Sequence, residues 1–382
     1  MRQIPFGRPM IGEAEQRAVA EVLGGTTLTH GPRVKEFERA FAAFTGAPAA
    51  VATASCTASM HLVYMHLGVG PGDEVIVPTQ THTATAHCVE LVGAKPVFVD
   101  SESKTGNIDV SRIQPLINER TKALAVVHYL GLPVDMDAVM DIARRHNLFV
   151  VEDCALAIGT YYKGVHAGLL GDVGCFSFYP VKHITTGEGG MVISRHKEVN
   201  ESVGRLRAFG IDRNIVEDRR TPGMYDVQEL GLNYRLNEIG AAMGIEQMKK
   251  LPEFLRRRRE NHEALEAGLK GAAGIEMLQS THGHFQSSYY CMVMLLQPKW
   301  AERRPEIMEA LKARGVGTSV YYPKPVPRMT YYRTKYGYAE DAFPVASMIS
   351  DRGIALPVGP HVEREDVDYM VSAIKGVLCG IN

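Results

Sequence analysis

The feature that most constrains the fold is a series of short, continuous apolar segments separated by segments of helical pattern. The apolar segments read EVIVP at 74–78, KPVFVD at 95–100, ALAVVHY at 123–129 and LFVVED at 148–153. A strand with one solvated face would alternate apolar and polar residues, whereas these strands are apolar on both faces. Strands of this kind joined by helical crossovers predict an α/β fold, with a mostly parallel sheet flanked by helices.

The helices between these segments are predicted from apolar periodicity. Val34, Phe37, Phe41 and Phe44 recur at helical spacing, and Thr45-Gly46 then provides a stop. Further helices are expected at 57–67 and 136–146. In such sheets the chemistry lies beyond the carboxyl ends of the strands, where His128, Tyr129 and Asp153 fall.

The pattern changes after Cys175. Two short strands, CFSFY and MVIS, are joined by the glycine-rich PVKHITTGEGG, and a basic helical tract at 249–271 follows. The last third has further strand-like and helical segments, YYCMVMLL and PEIMEALKARG. We therefore predict a large domain at 1–250, with an N-terminal arm at 1–30, and a smaller α/β domain at 251–382. The four arginines at 256–259 are interpreted as a solvated helix face.

Charge and cysteine usage exclude several classes of function. The formal net charge is −1, which offers no basic excess for nucleic acid or anionic lipid. No segment approaches the roughly twenty apolar residues of a membrane span, and the first residues lack a secretory pattern, so we expect a cytoplasmic protein. Six scattered cysteines without a C-x-x-C pair indicate neither a disulfide framework nor a zinc site. We interpret His282-Gly283-His284 as a solvated loop, and no metal is expected.

One carboxylate and one amine carry the main chemical signal. Asp153 ends an apolar strand, and Lys182 lies in the glycine-rich connection. Alone, Asp153 is an ordinary turn or cap carboxylate and Lys182 an exposed lysine. Together they match the needs of pyridoxal 5′-phosphate, in which an amine forms the Schiff base and a carboxylate keeps the ring nitrogen protonated.

A phosphate-binding segment is predicted at residues 54–58, ASCTA, at the start of a helix. Its hydroxyls and free backbone N–H groups lie at the positive end of the helix dipole. Taken alone, the segment is also typical of a simple helix cap.

With these residues in this order, the chain resembles, over nearly its whole length, the sugar aminotransferases of the DegT/DnrJ/EryC1/StrS type. Those enzymes have the aspartate-aminotransferase-like fold, type I. The matching motifs are Thr29-His30-Gly31-Pro32, Ser55-Cys56-Thr57-Ala58, Gly72-Asp73-Glu74-Val75-Ile76-Val77-Pro78, Glu152-Asp153, Ser177-Phe178-Tyr179-Pro180-Val181-Lys182, Gly187-Glu188-Gly189-Gly190, Asn233-Tyr234-Arg235-Leu236-Asn237-Glu238 and Tyr321-Tyr322-Pro323. The ordered set is specific, whereas any single motif is common.

The resemblance implies a role for each matching residue around the cofactor. It makes Lys182 the Schiff-base lysine and places Asp153 against the pyridine nitrogen. The phosphate would be held by Cys56, Thr57 and Ser177.

It also implies a ring over the cofactor and a second subunit. His82 stands where relatives have an aromatic residue over the pyridine ring. Asn233 matches an asparagine that reaches the phosphate from the neighbouring subunit, which implies a homodimer with shared active sites.

The substrate side departs from the family pattern. Leu156 replaces a glutamine that many relatives have near the cofactor hydroxyl, and Pro327 occupies the place of a histidine beyond Tyr-Tyr-Pro. Tyr321, Tyr322 and His183 are candidate substrate contacts.

The function that the resemblance implies is transfer of an amino group from L-glutamate to a keto-sugar, for cell-surface glycan or secondary-metabolite synthesis. The acceptor would be a nucleotide-linked hexose or a higher ketose such as 8-oxo-3-deoxy-octulosonate. Two alternatives stay open: a sugar dehydratase on the same scaffold that uses pyridoxal or pyridoxamine phosphate, and a non-catalytic regulator that binds the cofactor. Dehydratases with histidine in place of the lysine are disfavoured by Lys182.

Overall fold

A seven-stranded sheet forms the centre of the computed structural model, which describes residues 2–211 and 224–381. The strands of this sheet and of two smaller three-stranded sheets are β1 (Ala50–Thr53), β2 (Glu74–Pro78), β3 (Lys95–Val99), β4 (Thr121–Val127), β5 (Phe149–Asp153), β6 (Tyr161–Tyr162), β7 (Val165–His166), β8 (Val173–Ser177), β9 (Gly190–Ser194), β10 (Ile275–Met277), β11 (Phe285–Gln286), β12 (Met292–Leu296) and β13 (Gly353–Leu356).

The helices that cover this sheet and continue into the C-terminal part are α1 (Glu13–Leu23), α2 (Pro32–Thr45), α3 (Cys56–His66), α4 (Thr83–Leu91), α5 (Met136–His146), α6 (Lys197–Leu206), α7 (Glu238–Leu269), α8 (Arg304–Ala313), α9 (Thr330–Tyr336), α10 (Pro344–Arg352) and α11 (Arg364–Cys379).

The strand order of the central sheet is β1-β9-β8-β5-β4-β2-β3. The pairs from β8 to β3 are parallel, and only β9 joins its neighbours in antiparallel pairing. The mostly parallel α/β fold that the apolar segments predict is therefore confirmed. The carboxyl ends of β4, β5 and β8 lie side by side at one edge.

Local sequence explains where two of the helices begin or end. Gly46 ends α2 with φ +77°, a left-handed conformation that favours glycine. The side chain of Ser55 caps α3 by accepting a hydrogen bond from the Ala58 N–H at 3.0 Å. Because the cap uses the Ala58 N–H, the N–H groups of Cys56 and Thr57 are the ones that remain for a ligand at the start of α3.

The C-terminal part has its own antiparallel sheet, β10-β12-β13, with a core that includes Leu265, Met294 and Ile374. Ile4, near the N-terminus, belongs to this same core and pairs with Val316. Helix α7 runs through the domain boundary that we predict at residue 250. The division into two domains stays a prediction, and residues 212–223 of the predicted large domain lie outside the described residues.

The arginine run on α7 is only partly solvated. Arg256 and Arg259 pair with neighbouring glutamates on the exposed face. Arg258, however, is only 5% exposed, and its Nη1 donates a hydrogen bond to the Tyr290 carbonyl at 2.8 Å. The prediction of a uniformly solvated run is wrong for Arg258, because the helix turns that position toward the core.

In the part of the chain that the structure describes, no helix is long and apolar enough to cross a membrane.

Candidate active site

A cavity of about 520 Å³ opens at the carboxyl ends of β4, β5 and β8. This is the edge where parallel sheets place their ligands, and the volume is in the usual range for a small-molecule site. Most residues that we predict to contact cofactor or substrate line it: Cys56, Thr57, His82, Asp153, Ser177, Lys182, Tyr321 and Tyr322.

Asp153, the last residue of β5, is fixed at both carboxylate oxygens. Its Oδ2 accepts a hydrogen bond from the Thr85 hydroxyl at 2.7 Å, and its Oδ1 accepts one from the Ala155 N–H at 3.0 Å. The residue is only 4% exposed, so these donors replace solvent. A buried, oriented anion at the cavity floor results.

Lys182 faces the same cavity from the turn that follows β8. The backbone N–H of Lys182 donates to the Tyr179 carbonyl at 2.9 Å, which closes this turn. Its Nζ lies 5.4 Å from the ring centroid of Tyr290, within cation–π range. Burial lowers the pKa of Lys182, and the charge of Asp153 opposes that shift. The amine is thereby brought closer to its neutral, nucleophilic form.

The start of α3 also lines the cavity, together with Ser177 at the end of β8. Gly190 in β9 lies directly against it, because a Cβ at Gly190 would lie 2.3 Å from the Ser55 carbonyl carbon and 2.6 Å from the Cys56 nitrogen. The close approach is possible only without a side chain. The free N–H groups and the dipole of α3 suit a phosphate here.

The Cys56 thiol does not point toward that phosphate position. It donates to the Cys175 carbonyl at 3.4 Å and lies 3.9 Å from Asp153 Oδ1. Burial, followed by the nearby carboxylate, raises the pKa of this thiol well above its usual value. Any phosphate contact of Cys56 is therefore through its backbone N–H.

His82 caps α4 and presents its ring to the cavity. Its Nδ1 accepts a hydrogen bond from the Ala84 N–H at 3.2 Å, and its ring lies 6.0 Å from that of Tyr322 in an edge-on arrangement. Burial, then the charge of Lys182, lowers the pKa of His82. A neutral imidazole at this place can stack on a planar ring.

A network of tyrosines holds the wall formed by Tyr321 and Tyr322. The Tyr321 carbonyl accepts hydrogen bonds from Gln80 Nε2, at 2.9 Å, and from the Tyr129 hydroxyl. The Tyr321 and Tyr290 hydroxyls lie 2.6 Å apart. These contacts tie the C-terminal part of the chain to the end of β4.

Three singled-out residues lie off the cavity lining. His183 is 2% exposed, and its Nε2 faces the Ser288 carbonyl at 3.2 Å, so the geometry offers it no substrate contact. Asn233 is exposed and pairs with Ala208. Pro327 is buried in a short 3₁₀ turn, Val326–Arg328. Leu156, in contrast, lines the cavity and contributes an apolar side chain to its wall.

Within residues 2–211 and 224–381, one cluster has the ligand types for a metal: His128, Glu152 and Cys154. The side-chain polar atoms of His128 and Glu152 are already used in hydrogen bonds. Glu152 accepts from His128 Nε2 and from the N–H groups of Gly168, Leu170 and Gly171. His128 Nδ1 accepts from the Val134 N–H at 3.1 Å. We interpret the cluster as structural.

The lining residues suit pyridoxal 5′-phosphate. An amine, a buried carboxylate, a flat imidazole and a helix N-terminus face one cavity of sufficient volume. The gap that a Cβ at Gly190 would fill adjoins the N–H groups of α3. Among the described residues that line the cavity, Lys182 alone has an ammonium or guanidinium group, so the identity of the reacting amine is unambiguous.

Thr85, Tyr290 and Gln80 were not predicted from the sequence. Thr85 gains its role from its contact with Asp153, 68 residues later in the chain. Tyr290 and Gln80 act through contacts with distant segments, which no local pattern reveals.

Comparisons with known proteins agree with this geometry. Residues 9–375 match the model of the DegT/DnrJ/EryC1/StrS aminotransferase family. The spore coat polysaccharide biosynthesis protein SpsC of Bacillus subtilis is 35% identical over 381 residues, covering 99% of this chain and 97% of that protein.

Solved structures give the same result. A putative sugar aminotransferase from Streptococcus pneumoniae in its PMP form superposes with a TM-score of 0.94 at 29% identity, covering 100% of both chains. PseC of Helicobacter pylori, an aminotransferase of pseudoaminic acid biosynthesis, superposes with a TM-score of 0.92 at 28% identity, covering 99% of this chain and 100% of PseC.

Proposed function

Because the chain belongs to the DegT/DnrJ/EryC1/StrS aminotransferase family, whose solved relatives use pyridoxal phosphate, we propose that it transfers an amino group from L-glutamate to a keto-sugar. The observation that carries the proposal is the meeting of Lys182 and Asp153 in one cavity beside the start of α3. Lys182 would bind the cofactor covalently, and Asp153 would face its ring nitrogen.

The cofactor, when bound, supplies an electron sink for the bonds to the substrate carbon. The protein's residues supply position and protons. The N–H groups at the start of α3, with Thr57 and Ser177, would hold the phosphate, and His82 would stack on the ring. The Leu156 side chain offers no hydrogen bond to the cofactor hydroxyl.

Lys182 also suits the proton transfers of the reaction. Burial lowers the pKa of its Nζ, which makes a neutral amine more accessible near neutral pH. A free Nζ would accept the proton that leaves the donor's α-carbon and would hold it as an ammonium for the return transfer. The ring of Tyr290 lies next to Nζ and restricts the positions that the amine can take.

A sugar acceptor is supported by the relatives. SpsC is named for polysaccharide biosynthesis, PseC for pseudoaminic acid biosynthesis and the S. pneumoniae protein as a sugar aminotransferase. We propose a nucleotide-linked hexose, or a higher ketose such as 8-oxo-3-deoxy-octulosonate, used in cytoplasmic steps of glycan or secondary-metabolite synthesis.

A homodimer with shared sites belongs to the same proposal. Asn233 is exposed and off the cavity of its own chain. Large apolar side chains nearby in sequence are also exposed, including Met224 at 63% and Leu230 at 80%. Exposed apolar groups of this kind favour a protein interface.

The geometry disfavours the dehydratases that have histidine in place of the lysine. A dehydratase with histidine as the reacting residue would need that ring in the cavity, but Lys182 occupies the place and His183 faces Ser288. A cofactor-binding regulator would keep the same amine and carboxylate, so the presence or absence of turnover separates it from an enzyme.

The test is amino transfer by cofactor-loaded protein. L-glutamate should change the visible absorption of the bound cofactor and release 2-oxoglutarate, and mass spectrometry of candidate keto-sugars should show an amine in place of the carbonyl. Loss of a sugar hydroxyl would instead identify a dehydratase, and an unchanged spectrum with every amino acid offered would identify a silent binder. Lys182→Ala should abolish turnover.

A further inference from the structure

Two buried threonines form a hydrogen-bonded chain that ends on Asp153. The Thr81 and Thr85 hydroxyl oxygens lie 2.7 Å apart, and Thr85 Oγ1 lies 2.7 Å from Asp153 Oδ2. Thr85 is 0% exposed and Thr81 is 1% exposed. Neither residue lines the cavity, so the two hydroxyl groups reach the Asp153 carboxylate from the side that faces away from the cavity.

The direction of this chain follows from proton counting. An ionised carboxylate can only accept, so the single hydroxyl proton of Thr85 goes to Asp153. Thr85 must then accept the proton of Thr81. Both hydroxyl dipoles point toward Oδ2, and each hydrogen bond strengthens the next.

Helix geometry shows that this arrangement is not the default for a threonine. A threonine within a helix commonly bonds the carbonyl three or four residues earlier, as Thr45 does with Phe41 at 3.0 Å. Thr85 instead donates to a charged side chain 68 residues away. The same first turn of α4 presents His82 to the cavity.

We propose that Thr85, supported by Thr81, is a positioning residue that keeps the Asp153 carboxylate aimed at the ring nitrogen of the cofactor. The proposal rests on the cofactor placement of the proposed function. With Thr85 on Oδ2 and Ala155 on Oδ1, the carboxylate cannot rotate without losing a donor.

The expected effect follows from the strength of a hydrogen bond to a charged group. Losing one weakens the preference of the carboxylate for its observed orientation by about 10- to 100-fold. The ring nitrogen of the cofactor would then be protonated less completely, which weakens its electron-sink character. Binding of the phosphate at α3 should change little.

The experiment compares holoenzymes of Thr85→Val, Thr85→Ser, Thr81→Val and Thr45→Val, each loaded with cofactor labelled with ¹⁵N in the ring. Thr85→Val removes the hydroxyl at nearly constant volume, and Thr85→Ser restores it. Thr45→Val makes the same change at a buried threonine whose hydroxyl bonds only backbone carbonyls.

We expect the ¹⁵N shift of Thr85→Val to move toward that of a neutral pyridine, with a half-reaction on L-glutamate slowed about 10- to 100-fold. Thr81→Val should move both in the same direction by less. Thr85→Ser and Thr45→Val should match the wild type.

An unchanged ¹⁵N shift in both Thr85→Val and Thr81→Val would overturn the proposal, as would an equal shift in Thr45→Val. Should Thr85→Val fail to fold, the Thr81→Val shift decides alone. Failure of the proposed function looks different, because the wild-type protein itself would then bind no cofactor or leave its ring nitrogen neutral.

Discussion

Replacing Gly190 with alanine should damage the cofactor site through packing alone. Gly190 opens β9, and its neighbours across the sheet are Thr53 and Ser177. A Cβ would lie 2.3 Å from the Ser55 carbonyl carbon, 2.5 Å from its oxygen and 2.6 Å from the Cys56 nitrogen. These are backbone atoms, so no rotamer change relieves the clash. Reaching ordinary contact requires β9 and the start of α3 to separate by about 1 Å.

That displacement sets the size of the effect. Overpacking of this kind costs about 1–3 kcal/mol of stability. The separation also moves the N–H groups of Cys56 and Thr57 away from the phosphate position, and about 1.4 kcal/mol corresponds to a tenfold loss of affinity. We therefore expect cofactor affinity to fall by about 10- to 100-fold.

The assay is urea unfolding of the apoprotein together with cofactor titration followed by absorbance. Gly204→Ala is the matched control, because a Cβ there meets nothing within 4 Å and Gly204 lies within α6. It should be neutral or stabilising by up to about 1 kcal/mol. Wild-type stability and cofactor affinity in Gly190→Ala would refute the reasoning.

Three further predictions concern groups around the site. Glu152→Gln should lower the free energy of unfolding by about 2–5 kcal/mol, because either orientation of the new amide would place its NH₂ group against N–H donors. The control, Glu119→Gln at an exposed position, should change the free energy of unfolding by less than about 0.5 kcal/mol in the same urea titration. Alkylation of the native protein should label Cys379 first, since it is the exposed cysteine and the other five are buried; peptide mapping that found a buried thiol modified equally fast would contradict this. Because burial lowers the pKa of Lys182, its neutral amine forms at lower pH than that of free lysine. The rate at which the cofactor attaches to the apoprotein should therefore increase at a lower pH than the rate of its attachment to free lysine. If the two rates increased at the same pH, the pKa of Lys182 would not be depressed.

Local patterns predicted much of the scaffold. The bounds of α5 and β2 match the predicted segments, and α2 ends at Thr45, where Gly46 predicts the stop. These elements follow from apolar periodicity and turn chemistry, which neighbouring residues alone determine. The place of Asp153 followed from the rule that the carboxyl ends of parallel strands share one edge, whereas its pairing with Lys182 was inferred from what the cofactor needs.

What the sequence did not reveal depends on long-range contacts. Arg258 was taken as solvated within a charged run, although its spacing from Phe254 and Leu265 places it on the buried face of α7. His183 follows Lys182 directly, yet its ring faces Ser288 instead of the cavity. Thr85 gains its importance from Asp153, 68 residues later in the chain. No local pattern encodes such partners.

The central claim is that Lys182 holds the cofactor, and one measurement tests it most directly. Cofactor-loaded protein is reduced with borohydride, digested and mapped by mass spectrometry, with Lys182→Arg as the control. We predict a single pyridoxyl group on Nζ of Lys182 and no stable label in the variant. A label on another lysine, or an unlabelled Lys182 peptide in cofactor-loaded wild-type protein, would contradict the account.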